Sequence, residues 1–355
     1  MGTVENKTIE LAIGTYTNGV TQDRGIFRAW VAADGSEIGL RGVTSVTPTV
    51  NPTWIVFSAD GRFVYAACEG AEGAVAALEL NAEGELSLLG IQPTGGVEPC
   101  HVALVNGGTH LVSANYQSGS VSVHPVLADG SLDERTDLVQ HVGSGPYTER
   151  QASAHAHMIA EDPTGRHILA IDLGTDTVYA YVLDAETGRL AEAGRTVLRG
   201  AFGPRHLAFH PNGELVYVLG ELGFEIAVCE YDAETGALDP VAFIPVTEGG
   251  VLGVDFPSGI RVTPDGRFLY AAVRGADLLR TYSLADPRKP AFVSAVPIGG
   301  SWPRDIVLSP DATLLFSSNQ LADVVTVFRL DPVTGEPSPT GATLEIPAPA
   351  CVLMR

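Results

Sequence analysis

Apolar and polar residues alternate in short runs along the whole chain, and the runs recur as one unit. The unit opens on a proline, continues in a run of period-two alternation, turns through a polar segment, and returns in a second apolar run. It begins at Pro52, Pro99, Pro204, Pro257 and Pro303, with Ala156 standing at the anchor of one further copy. A seventh, partial copy at Pro349 stops after a single strand. Successive anchors lie 47, 57, 48, 53, 46 and 46 residues apart. Asp60-Gly61, Asn212-Gly213 and Asp265-Gly266 mark hairpin turns within the copies. A second hairpin follows the first, and its turn at Asp184–Gly188 recurs 48 residues later at Asp232–Gly236. No segment sustains a helical period. Four strands in a unit of this length, repeated around an axis, predict an all-β, seven-bladed β-propeller with four-stranded blades. The partial copy needs three more strands, and Ile9–Val46 supplies them, so the N- and C-terminal segments share one blade and close the ring. Residues 1–355 therefore read as a single domain, although length alone suggests two.

Composition narrows the function classes. With 45% hydrophobic and 18% charged residues, the chain can build a core and is not a disordered polymer. No apolar run reaches the ~18 residues of a membrane span, and the N-terminal stretch lacks the basic and apolar regions of a signal peptide, so a cytoplasmic protein without membrane contact is expected. Asp and Glu number 42 against 21 Lys and Arg, a net charge of −21, which argues against a nucleic-acid partner. Any convergence of arginines in such a chain is a focused exception. Cys68, Cys100, Cys229 and Cys351 have no paired spacing and read as buried thiols.

The repeat register places candidate chemistry. In a propeller the innermost strand starts at the face where the second strand ends, so residues one and seventeen after each anchor should meet in one funnel. The first row reads Thr53, Cys100, His157, Arg205, Ser258, Arg304 and Ala350; the second reads Glu69, Tyr116, Leu173, Glu221, Arg274 and Gln320. Three arginines, two glutamates and a histidine at one mouth exceed what a purely structural propeller requires. Blander readings compete: Glu221 and Arg274 as an interblade ion pair, Asp172 as a turn residue, and His101 and His206, two after their anchors, as packing residues alternating to the other side. His155 and His157 share a strand face and offer two metal ligands, but zinc and calcium spacings are absent, so neither metal nor cofactor is expected. There is no P-loop, dinucleotide fingerprint or nucleophile elbow.

Gly14-Thr-Tyr-Thr17, Ala114–Gly119, Arg150–His157, Asp172–Asp176, Gly203-Pro-Arg-His206 and Ser318-Asn-Gln320 together resemble the seven-bladed propeller lactonases, a family that includes bacterial 6-phosphogluconolactonase and fungal carboxy-cis,cis-muconate cyclase. The resemblance implies that His157, Arg205, Glu221 and Arg274 are the catalytic set. It departs from the family at Ser258-Gly259, where a glutamate is common, and at Val273, where an asparagine often precedes Arg-Gly. The implied activity is hydrolysis of a lactone on an anionic sugar acid. His157 or Glu221 is then the base, and Arg205 and Arg274 hold the oxyanion and the substrate anion. Arg150 and Arg304 extend the anion-binding wall, with Glu69, Tyr116, His155 and Gln320 as further substrate contacts. Two alternatives stay open: a muconate-type cycloisomerase using the same groups on a carboxylate substrate, and a non-catalytic propeller that binds a protein partner.

Overall fold

In each of the six complete copies the anchor pairs with the residue sixteen positions later: Pro52 with Cys68, Pro99 with Asn115, Ala156 with Asp172, Pro204 with Gly220, Pro257 with Val273, and Pro303 with Asn319. The computed structural model describes residues 8–17, 25–46, 50–247 and 249–355. These form seven antiparallel four-stranded sheets. Blade 1 joins the strand Pro349–Met354 to Thr8–Thr15, Ile26–Ala32 and Ile38–Thr44. Blades 2 to 7 span 52–93, 99–140, 156–197, 204–245, 256–297 and 303–345 in order. The ring closes as the sequence implies, with Leu11 opposite Met354 and Ile13 opposite Val352. Among the described residues no helix is long and apolar enough to cross a membrane.

Burial follows the radial order. The second strands of blades 2 to 7, such as Leu215–Gly220 and Phe268–Arg274, are buried at every residue, because both faces of a blade pack on neighbours. Outer strands such as Arg189–Val197 are mostly solvated. Each seam between blades holds its own apolar cluster. The closing seam packs Leu11, Ile13 and Phe27 of blade 1 against Leu314 and Phe316 of blade 7. The four cysteines are buried.

Two irregularities recur. First, the pairing between the two inner strands slips by one residue just after each anchor, for instance between Pro52 and Trp54 and between Pro204 and His206. This is a β-bulge, which breaks the alternation of side chains at the top of the strand. Second, three aspartates lie twenty residues after their anchors in the left-handed conformation: Asp176, Asp277 and Asp323, with φ of 54°, 53° and 53°. Each carboxylate accepts the backbone N–H just before the next anchor, from Gly203, Trp302 and Ala348, at 2.7 Å. Those three residues are left-handed too. Asp tolerates this conformation better than most side chains, and here it clamps one blade to the next.

The clamp is testable. Asp277→Ala removes the interblade hydrogen bond and leaves a partly buried donor unpaired, and should cost about 1–2 kcal/mol, read as a lower Tm. Asp277→Asn keeps an acceptor and the left-handed tolerance, and should lose less. Equal Tm values for wild type and Asp277→Ala would show that the clamp contributes nothing.

Candidate functional site

The bulges decide what faces the axis. Trp54 of blade 2 and His206 of blade 5 are three blades apart, yet their rings are 5.3 Å apart, which requires both to point into the central channel. His101 lies 4.2 Å from the Trp54 ring and 5.9 Å from that of His206. The expectation that His101 and His206 alternate away from the channel is therefore corrected, because a bulge resets the period-two pattern. Above this layer, the residue seventeen after the anchor gives its N–H to the carbonyl just before the anchor. Examples are Glu69 to Asn51, Tyr116 to Glu98, and Glu221 to Gly203, at 2.9, 2.9 and 2.8 Å. These bonds hold the second-row side chains at the channel mouth.

There they enclose a cavity of about 210 Å³, lined by Tyr16, Glu69, Glu98, Cys100, Tyr116, Arg150, His157, Glu221, Arg274 and Arg304. A larger crevice of about 340 Å³ lies at the opposite end of the strands, between blades 1 and 2. Its wall is largely apolar, with Leu11, Phe57, Leu80 and Leu86, and its Arg41 is paired with Glu10 at 3.1 Å. The titratable groups converge in the smaller cavity.

Glu221 is the electrostatic centre of that cavity. Its Oε1 accepts from Arg150 at 2.7 Å, and its Oε2 accepts from Arg274 at 2.6 Å and lies 3.1 Å from Nε of Arg205. Burial favours the neutral acid, but Arg274, Arg205 and Arg150 outweigh it and hold the carboxyl far below the usual range. Such a carboxylate is a weak base and a strong counter-ion. Arg274 is fixed further by its Nε bond to the Phe256 carbonyl at 3.2 Å and by the Phe256 and Trp302 rings, each 5.4 Å away. Arg150 comes from the long connection between blades 3 and 4, the source of the 57-residue spacing, and also donates to the Tyr116 hydroxyl at 3.1 Å.

His157 lines the same cavity and is nearly fully buried. Burial, then Arg205, pushes its pKa well below the ordinary imidazole value, so the ring is neutral. It stands 5.4 Å from the His206 ring, so three imidazoles run from the pocket floor down the channel. His101 and His206 are likewise pushed down, mainly by burial. Cys100 donates to the His157 carbonyl at 3.3 Å, and burial raises its thiol far from the thiolate. It is not an activated nucleophile.

On the opposite wall, Glu69 accepts from the Tyr16 hydroxyl at 2.7 Å and from Thr53 at 2.8 Å, with Arg304 3.6 Å away. Arg304 also lies over the Tyr16 ring at 4.8 Å. Glu98 projects beside them, and its carboxylate has no hydrogen bond or ion pair among the described residues.

Of the ten residues expected at the site, seven line the cavity: His157, Glu221, Arg274, Glu69, Tyr116, Arg150 and Arg304. Arg205 is buried beneath it, donating to the Ser258 carbonyl and contacting Nε2 of His206 at 3.3 Å. His155 and Gln320 do not line it. His155 stacks on the outer side of Tyr116 and places Nδ1 against the Tyr116 carbonyl, because Asp172 accepts its N–H and fixes the turn. His157 meets the edge of the same Tyr116 ring at 5.5 Å, so Tyr116 contacts both imidazoles. Gln320 turns into a short 3-10 helix, Gln320–Ala322. Tyr16 and Glu98 went unrecognised. Glu98 belongs to a third row, one residue before each anchor, which the register also defines.

A sequence profile described as a seven-bladed beta-propeller lactonase matches residues 10–354. The 6-phosphogluconolactonase of Bacillus subtilis strain 168 is 33% identical over 343 residues, covering 96% of each chain. That of Pectobacterium carotovorum strain PC1 is 30% identical over 268 residues, covering 75% of this chain and 76% of its own. The structure of a periplasmic gluconolactonase of Pseudomonas aeruginosa superposes with a TM-score of 0.89 at 28% identity, covering 98% and 99% of the two chains.

The imidazole column makes stability depend on pH with a defined sign. Each ring is neutral in the fold, whereas an unfolded histidine titrates near ~6.5, so below that pH the unfolded state binds more protons. Stability should therefore fall as pH drops below ~6.5, by about 1.4 kcal/mol per unit for each such ring. His206→Gln keeps an acceptor for Arg205 and should flatten the dependence by one proton. Thermal unfolding from pH 4.5 to 7.5 measures both, and matching slopes in the two proteins would count against it.

Proposed function

Because the chain belongs to the seven-bladed β-propeller lactonase family, we propose that it hydrolyses the lactone of an anionic sugar acid, of the phosphorylated gluconolactone type, in the His157–Glu221–Arg274 pocket. The observation that carries this reading is the group of guanidiniums around Glu221 beside a neutral imidazole, in a chain of net charge −21.

Lactone hydrolysis needs an activated water, a stabilised oxyanion and a protonated leaving oxygen. Of the two candidate bases, Glu221 is committed to its arginines, which leaves His157 to take the proton of the water. The positive field that depresses His157 comes largely from Arg205, with Arg304 and Arg274 adding to it. An anionic substrate offsets that field, so the imidazole becomes more basic once substrate is bound. Arg150, Arg274 and Arg304 keep guanidinium N–H groups beyond those engaged with Glu221 and Glu69, and these suit the oxyanion and the distal anion of the substrate. Arg205 supports them from below.

A lactone panel followed by pH-stat tests the reading, with phosphorylated and unphosphorylated gluconolactones expected to react in that order of kcat/KM. Arg274→Ala should lower kcat/KM for the anionic lactone by roughly 10- to 100-fold, the worth of a charge-assisted bond. His157→Ala should lower kcat about 10²- to 10⁴-fold with little change in KM. Wild-type rates in both variants, at matched Tm, would remove the reading.

A further inference from the structure

Hydrolysis by this route leaves one proton unassigned, the one that the ring oxygen must gain when the lactone opens. We propose that Glu98 is a catalytic residue of the pocket it shares with His157, the general acid that protonates the leaving oxygen. This rests on the hydrolytic reading above.

Three observations carry the assignment. Glu98 lines the same cavity as His157. Its backbone is held on both sides, its N–H donating to the Gly70 carbonyl and its own carbonyl accepting from Tyr116, each at 2.9 Å. It is fixed in the left-handed conformation, φ 54°, which glutamate rarely adopts. Finally, it is the one pocket carboxylate not engaged by other side chains among the described residues: Glu221 is saturated by guanidiniums, and Glu69 by Tyr16 and Thr53. Desolvation, then Glu69 of blade 2, raises its pKa, while His155 from the start of blade 4 opposes the rise; Arg304 and Arg150 lie elsewhere on the wall. The environments of Glu98 and His157 thus push an acid up and a base down, the pattern of a working acid–base pair.

The step balances. As the water oxygen bonds to the lactone carbonyl carbon, its proton passes to His157 and the carbonyl π pair moves onto oxygen. When that pair returns, the bond from the same carbon to the ring oxygen breaks, and the ring oxygen takes the proton of Glu98. The product is the hydroxy acid. The pair resets when the proton on His157 leaves to solvent and Glu98 regains one.

The test compares leaving groups in one enzyme preparation, so a partly unfolded variant cannot distort the ratio. Glu98→Gln should lower kcat/KM about 10²- to 10⁴-fold on an aliphatic sugar lactone. On an aryl lactone, whose phenol leaves with a pKa near ~10, the deficit should shrink to under about 10-fold. The alkaline limb of the wild-type kcat/KM profile on the sugar lactone should vanish in Glu98→Gln. Equal deficits on both lactones, an unchanged alkaline limb, or wild-type rates would overturn the role of Glu98 while leaving lactonase activity intact. Absence of turnover of either lactone by wild-type enzyme would instead remove the hydrolytic reading itself.

Discussion

The one-residue slip after each anchor is the constraint on which the site depends. Without it, strict alternation would send every second side chain of an inner strand between blades, and only one row would face the axis. With it, neighbouring residues such as Arg205 and His206 both reach the channel. Seven blades repeating the slip build two layers around one axis, one below that holds Trp54, His101 and His206 and a charged layer above. Ring closure through blade 1 keeps those layers in register, because the last inner strand is paired with the first N-terminal strand.

Crowding charged groups around a narrow channel creates an electrostatic problem, and the solution shapes the chemistry. Arg150, Arg205 and Arg274 approach one another only because Glu221 lies among them, since buried like charges without a counter-ion are strongly disfavoured. The same carboxylate fixes the directions of the guanidiniums, so donors toward an incoming anion are arranged before it arrives. The histidines survive beside these cations by staying neutral. Polar atoms thus occupy the centre of the ring, while the seams between blades remain apolar.

Much of this was legible in the sequence, for identifiable reasons. Pro52, Pro99 and their counterparts punctuate the repeat, Asp-Gly turns mark its hairpins, and the constant offset between anchor and second strand makes the register countable. That register alone brings His157, Glu221 and Arg274 to one mouth. What stayed hidden depends on backbone conformation rather than residue type. His101 and His206 were assigned to the wrong side because a bulge leaves no signature in side-chain identity. His155 and Gln320 fall where turns carry them off the wall. Glu98 escaped because the row before the anchors has no common side chain, and what Asn51, Glu98, Gly203, Trp302 and Ala348 share in it is a left-handed backbone.

That backbone gives position 98 an unusual standing. Left-handed geometry costs an ordinary L-residue about 1–2 kcal/mol, and glycine escapes most of it. At the matching place in blade 5 the chain does use glycine, Gly203. Selection for folding stability alone would therefore favour glycine or asparagine at 98, and neither supplies a carboxyl group. Keeping glutamate there holds the protein below the stability this scaffold can reach, a margin that laboratory evolution for heat resistance could recover only with loss of the acid.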